Sequence, residues 1–232
     1  MFLKKLLLLA FVQQRSYRRK LLDELMFRHT KMMQGVIVDL AGKNTDHRGK
    51  FRPPDKGIVK RIVVNLDPEV KPDILADICE TGLDDAIADC VILTETLQHA
   101  IAPKRCVAEA YRLLKPGGVF IGSVPFLYPV HRDPVDIVRI GPDGLNQLLS
   151  EFTNVEIYSM GQFFGVLGLF LERKVTSIRQ GRVLTAIGLP KIYKAILIIL
   201  SRMLIMLDRN NLQLNKKTTT FTTGYFFIGT KQ

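Results

Sequence analysis

The sequence predicts one doubly wound α/β domain, a mostly parallel sheet with helices on both faces. Three observations predict it. Short β-branched runs alternate with helical stretches along most of the chain. The central runs are apolar almost throughout, which fits parallel strands covered on both sides. Several runs end in an acidic residue, and folds of this kind bind ligands at the carboxyl ends of their strands. The 232 residues suit one such domain with an elaboration.

The runs can be taken in order. GVIVDL (35–40) predicts the first strand, RIVVNLD (61–67) the second and PDILAD (72–77) the third. DCVILT (89–94), GVFIGSV (118–124), NVEIYSM (154–160) and TGYFFIGT (223–230) complete a set of seven. Helical patterns cover 103–115 and 141–152. Pro103 suits a first helical turn. Val107, Ala110, Tyr111 and Leu114 recur on one face of that helix. Pro116, Gly117 and Gly118 stop it and turn the chain into the fifth strand, a structural role rather than a catalytic one.

The charge is localised. Residues 1–31 carry eight basic residues against two acidic, and residues 172–209 carry eight against two. The rest of the chain is close to neutral, although the whole carries +11. Both basic segments are rich in Leu and Ile. Basic and apolar together point to an anionic membrane surface. Nucleic-acid binders interleave bases with aromatic residues, and both segments lack Trp and are poor in Tyr, so a nucleic-acid partner is disfavoured.

These features set an expectation of three parts: a basic apolar N-terminal helix over 1–33, a domain over 34–161 and 212–232, and a helical insertion over 162–211. The N-terminal helix is expected at a membrane interface, the alternative being a signal-like anchor; its apolar run is far too short to span. Within the insertion, AILIILSRMLIML (195–207) is a capped helix that either packs on the domain or lies on a membrane.

Cys79, Cys90 and Cys106 have no CxxC spacing. An odd count argues against a disulfide framework, so all three are expected as small buried hydrophobes in a reducing compartment. The four histidines show no metal-ligand spacing, and no structural metal is expected.

Asp39, Asp67 and Asp77 end the first three strand candidates. Any one of them reads as a helix N-cap; three in succession point to a ligand edge. Next comes DCVILTETLQHAIAPKRCVAEAYRLLKPGGVFIGSVP. This run closely resembles the class I S-adenosylmethionine-dependent methyltransferases, in the type 11-like branch that includes small-molecule enzymes of the ubiquinone and menaquinone type. The resemblance implies a Rossmann-like sheet of order 3-2-1-4-5-7-6, with the last strand antiparallel and S-adenosyl-L-methionine as cofactor. It implies that Asp39, Ala41 and Gly42 form the turn facing the methionine part of the cofactor. Asp67 would accept the ribose hydroxyls in a bidentate contact, Asp77 and Ile78 would meet the adenine, and Thr94 and Glu95 would border the cofactor from the fourth strand.

The chain departs from the family's G-x-G-x-G turn, since Ala41 and Lys43 replace two of its glycines. It also has Gln98 where the family often has Glu, before His99, which is expected to position a helix or sit in the core. No GxGxxG follows the first strand, which disfavours a nicotinamide dehydrogenase.

SVPFLYPVHRDPVDIVRIGPDGLNQLL (123–149) follows the fifth strand, where an acceptor should enter. It resembles a subgroup often found among genes for cell-surface glycan or glycolipid assembly. His131 is a candidate general base on an acceptor hydroxyl, with Asp133 or Asp136 orienting it. Tyr128 and Arg139 are candidates to shape the pocket or hold an anionic group. The other reading is a lid loop pinned by ion pairs such as Asp136 with Arg139. The expectation is methyl transfer to a small or lipid-linked acceptor by a cytoplasmic enzyme peripheral on the inner membrane face. The alternative is a degenerate relative acting there as a scaffold.

Overall fold

In the computed structural model, residues 16–45, 49–53, 56–132, 135–177, 189–209 and 220–232 are described. Seven strands form one sheet: β1 (Gly35–Leu40), β2 (Ile58–Asn65), β3 (Ile74–Leu75), β4 (Ala88–Thr94), β5 (Leu114–Pro125), β6 (Thr153–Ser159) and β7 (Gly224–Thr230). Their order is β3-β2-β1-β4-β5-β7-β6. The first five strands in this order run parallel, while β7 runs antiparallel to both β5 and β6. Both the order and the antiparallel last strand match the expectation.

Side-chain alternation divides the core into two. Val38, Leu40, Val64, Val91, Leu93, Phe120 and Phe227 point to one face. There they meet helix α2 (Pro103–Leu113) through Cys106, Val107, Ala110 and Leu113, and helix α3 (Pro142–Leu148) through Leu145. Ile37, Cys90, Ile92, Ile121, Phe226 and Ile228 point to the other face. That face is covered by Leu21, Leu22, Leu25 and Met26 of helix α1 (Tyr17–Arg28), whose N-cap Ser16 accepts from the Arg19 amide.

The packing of α1 corrects the interfacial reading for this part of the N-terminal segment. Residues 1–15 lie outside the described residues, but Leu21, Leu22 and Leu25 are almost fully buried in the core. The physical reason lies in the crossovers. Among the described residues, no helix forms between β1 and β2, and only a 3-10 turn (Pro68–Val70) forms between β2 and β3. The sheet face those crossovers would cover needs another source of apolar surface, and α1 supplies it.

Cys79 and Cys106 form a disulfide, which overturns the expectation of three free thiols. The loop after β3 buries Ile78 in the same cluster as Cys106, so it lies along α2 and brings Cys79 to it. Cys90 remains a buried core thiol, and burial pushes its pKa up to about 12.

Helices α4 (Phe163–Ser177) and α5 (Leu189–Arg209) form a hairpin between β6 and β7. Leu169, Val166, Ala195 and Leu197 are buried, and the Ser201 hydroxyl donates to the Gly168 carbonyl at 2.9 Å across the hairpin. No described helix is long and apolar enough to cross a membrane.

Candidate functional site

The chain runs from β1 outward to β2 and β3, then returns to β4 on the other side of β1. The carboxyl ends of β1 and β4 therefore flank a topological switch point, where doubly wound sheets open a crevice. Two residues other than glycine have left-handed backbone there: Ala41 (φ 61°) after β1 and Glu95 (φ 58°) after β4. Such conformations cost about 1 kcal/mol or more and persist where surrounding contacts enforce them.

The enforcing contacts differ on the two sides. After β1, the Ala41 amide donates to the Val64 carbonyl at 2.7 Å. The Asn65 side-chain amide donates to the Gly42 carbonyl at 2.8 Å, and Asn44 reaches the Lys71 carbonyl at 2.9 Å. Asp39 pairs with Arg61 of β2 at 2.5 Å. A Cβ on Gly42 would stand 2.4 Å from the Asp39 carboxyl carbon, so a side chain here would have to displace that carboxylate.

After β4, Glu95 is held by Arg18 of α1. Arg18 is 3% exposed. Its Nε donates to Glu95 Oε2 at 2.8 Å, Nη2 pairs with Oε1, and Nη1 donates to the Thr223 carbonyl at 2.7 Å. A Cβ on Gly224 would fall 1.9 Å from Arg18 Nη1, so a glycine there admits the guanidinium. The Ser123 hydroxyl donates to Glu95 Oε1 at 2.7 Å. Burial opposes ionisation of Glu95, but the Arg18 charge and these hydrogen bonds outweigh it and hold the carboxyl below its ordinary range.

The outer acids brace the turns that follow β2 and β3, Asp67 as the N-cap of the 3-10 turn. Asp67 Oδ1 accepts from the Glu69 amide at 2.9 Å, and Asp77 Oδ1 accepts from the Cys79 amide at 2.9 Å. Each leaves its Oδ2 without a hydrogen bond among the described residues. Ile78 is buried beside Asp77, and Thr94 is half-buried at the end of β4.

The segment after β5 folds over this edge. The Ile137 amide donates to the Gln98 carbonyl at 2.9 Å, and His99 Nδ1 bonds the Val135 carbonyl. His99 thus positions the loop. Gln98 is 4% exposed; its Nε2 donates to the Glu95 carbonyl at 2.7 Å, while its Oε1 is buried without a partner. His131 is exposed, 6.2 Å from the His99 ring and 6.4 Å from the Tyr128 ring. Asp136 bonds the backbone amide of His131 at 2.7 Å and clasps Arg139 at 2.6 Å. Arg139, opposed by burial, holds the Asp136 carboxyl down at about 2. Asp133 lies outside the described residues. The Tyr128 hydroxyl accepts from Arg173 of α4, whose guanidinium carbon is 4.9 Å from the Tyr128 ring centre, and Arg18 approaches the same ring at 5.8 Å.

The structure thus brings Asp39, Ala41, Gly42, Thr94, Glu95, Tyr128 and His131 around one sheet edge, with Asp67, Asp77 and Ile78 farther along it. Sequence reasoning missed Arg18, Arg61, Asn65 and Ser123. Arg18 had one legible signal: it shares the α1 stripe of Leu21, Leu22 and Leu25, at spacings of i+3, i+4 and i+7.

The strand order is that of the Rossmann-like methyltransferase fold, and the comparisons show the same fold. A family model described as "Methyltransferase domain" matches residues 58–122. Among solved structures, a SAM-dependent methyltransferase from Archaeoglobus fulgidus is similar at 14% identity and a TM-score of 0.54, over 92% of this chain and 94% of that one. A phosphoethanolamine N-methyltransferase 2 from Haemonchus contortus, solved with S-adenosyl-L-methionine, is similar at 13% identity and a TM-score of 0.55 over 90% of this chain; this chain spans 52% of that protein. The cyclase SpnF is similar at 14% identity and a TM-score of 0.51, over 90% of this chain and 80% of that one. No curated protein matches the sequence.

Proposed function

We propose that the chain is an S-adenosylmethionine-dependent methyltransferase acting on a small or lipid-linked acceptor, through a hydroxyl. The observation that carries this reading is the edge between β1 and β4. Ala41 and Glu95 are held there in left-handed backbone, and a side chain at Gly42 would displace the Asp39 carboxylate. Strain of this kind is kept where a ligand needs the backbone close.

The residues present fit the cofactor. Gln98 Oε1 is a buried acceptor without a partner, and Asp67 and Asp77 each keep one carboxylate oxygen open. Asp67 would accept the ribose hydroxyls, Asp77 and Ile78 would meet the adenine, and Asp39, Ala41, Gly42, Thr94 and Glu95 would line the methionine part. When bound, the cofactor supplies a methyl group on a positively charged sulfur. The remaining work is alignment and proton removal. His131 takes the acceptor's proton, Tyr128 shapes the entrance, and the Asp136–Arg139 clasp fixes the loop that carries His131. Asp136 acts through the His131 backbone amide and the clasp. Arg139 would turn to an anionic acceptor group only by leaving Asp136.

A second reading, a degenerate relative that has lost the cofactor and acts as a scaffold or binding partner at the membrane, is favoured by Ala41 at a left-handed position and by the bond between Asp39 and Arg61. Location at the cytoplasmic face of an anionic membrane belongs to the same proposal and is supported by the basic, apolar segment over 172–209. Calorimetry with S-adenosylmethionine separates the two readings at their root. Saturable binding that Asp67→Ala weakens about tenfold supports the enzyme. No binding at millimolar cofactor overturns it.

A further inference from the structure

The α4–α5 hairpin presents an outer surface that the domain leaves uncovered. On α5, Ile196, Ile199, Leu200, Met203, Met206 and Leu207 recur at i, i+3, i+4 and i+7 spacings, yet they are 37–63% exposed. On α4, Phe163, Phe164, Leu167 and Phe170 are 38–45% exposed. A stripe of this size on a soluble surface marks an interaction site.

Charge selects the partner. The hairpin's two described acids are turned inward. Asp208 is buried, accepting from the Tyr17 hydroxyl at 2.6 Å and the Gln162 amide at 2.7 Å. Glu172 accepts from the Tyr17 amide at 3.2 Å, and burial raises its pKa. Lys174 is exposed on the α4 stripe, four residues from Phe170 and seven from Leu167, and Arg202 is half-buried at the flank of the α5 stripe, near Glu172. The outer face is therefore apolar, carries neither described acid of the hairpin, and is positive at Lys174. Neither helix can cross a bilayer.

We propose that this face of the hairpin docks on an anionic lipid bilayer, lying in its interface. Arg173 of α4 donates to Tyr128, so the docked hairpin carries the loop of His131 to the membrane. A lipid-linked acceptor then presents its head group to the crevice while its apolar chain stays in the bilayer. That consequence rests on the methyl-transfer reading; the docking itself does not.

The test uses the full chain and vesicles of phosphatidylcholine with and without phosphatidylglycerol. Co-sedimentation is read for the wild type, for a triple variant (Ile196→Glu, Met203→Glu, Met206→Glu) and for the milder pair Met203→Gln, Met206→Gln. All substituted side chains are exposed, and circular dichroism checks the fold. The proposal expects the wild type to prefer anionic vesicles, the triple variant to lose about tenfold in partitioning and the pair to lose less. It is overturned if the wild type stays in solution, or if the triple variant sediments like the wild type. It is equally overturned if the face instead holds two copies of the chain together, so that the variant converts a dimer to a monomer without changing vesicle binding. S-adenosylhomocysteine titration of the same samples reads the methyl-transfer proposal separately. Vesicle binding without S-adenosylhomocysteine binding keeps the docking and removes the enzyme.

Discussion

The turns after β1 and β4 flank the switch point of the sheet and solve the same problem differently. Each holds a residue other than glycine in left-handed backbone. The β1 turn does so with local stitches, Asn65 to Gly42 and Arg61 to Asp39, from the neighbouring strand. The β4 turn imports Arg18 from a helix 77 residues away in sequence. The difference teaches where stability and function are coupled. The β4 side is tied into the core through a buried charge pair. The β1 side is a surface loop whose fit depends on the absence of one Cβ.

Removing Arg18 should therefore have the largest effect. Arg18→Ala leaves Glu95 without its main counter-charge and should cost about 3 kcal/mol or more in urea unfolding. Arg18→Met with Glu95→Leu should recover most of that loss. The pair also fixes a pH dependence. The folded state lowers the Glu95 pKa, so this contribution is fully present above the ordinary carboxylate range and is lost as pH falls through the depressed value. Stability measured across acid pH should fall less steeply in Glu95→Gln.

The disulfide comes next. Cys79 and Cys106 are 27 residues apart, and losing the bridge in a Cys79→Ser, Cys106→Ser chain should cost about 3 kcal/mol. A reducing agent should lower the melting temperature of the wild type but not of this variant.

The β1 turn gives smaller effects on stability and a larger one on binding. Gly42→Ala must displace the Asp39 carboxylate, costing about 1–2 kcal/mol and at least about tenfold in S-adenosylhomocysteine affinity. Ala41→Gly relieves the left-handed strain and should stabilise the chain by up to about 1 kcal/mol with affinity retained. If Ala41→Gly instead abolishes binding, the turn does not work as the comparison holds.

The same contrast shows what was legible in the sequence. The β-branched runs located all seven strands, because burial on both faces leaves an uninterrupted apolar signature. β3 shrank to two residues because only Ile74 and Leu75 find ladder partners on β2. Asp67 and Asp77 could be placed at strand ends because the motif sets them there. Arg18 could not be placed, since nothing local says that a helix 77 residues earlier closes over Glu95. Helix α1 was expected at a membrane because its leucines and bases look interfacial; the helix-poor crossovers, which give those leucines a core to fill, are a tertiary fact. An odd cysteine count likewise hides a pair that only the β3–α2 contact creates.

Calorimetric titration of S-adenosylhomocysteine into the full chain, beside Gly42→Ala and Asp67→Ala, tests the central claim most directly. The account predicts one saturable site in the wild type, weakened about tenfold or more in both variants while their circular dichroism stays native. Absence of binding at millimolar S-adenosylhomocysteine, or equal affinity in all three chains, would contradict it.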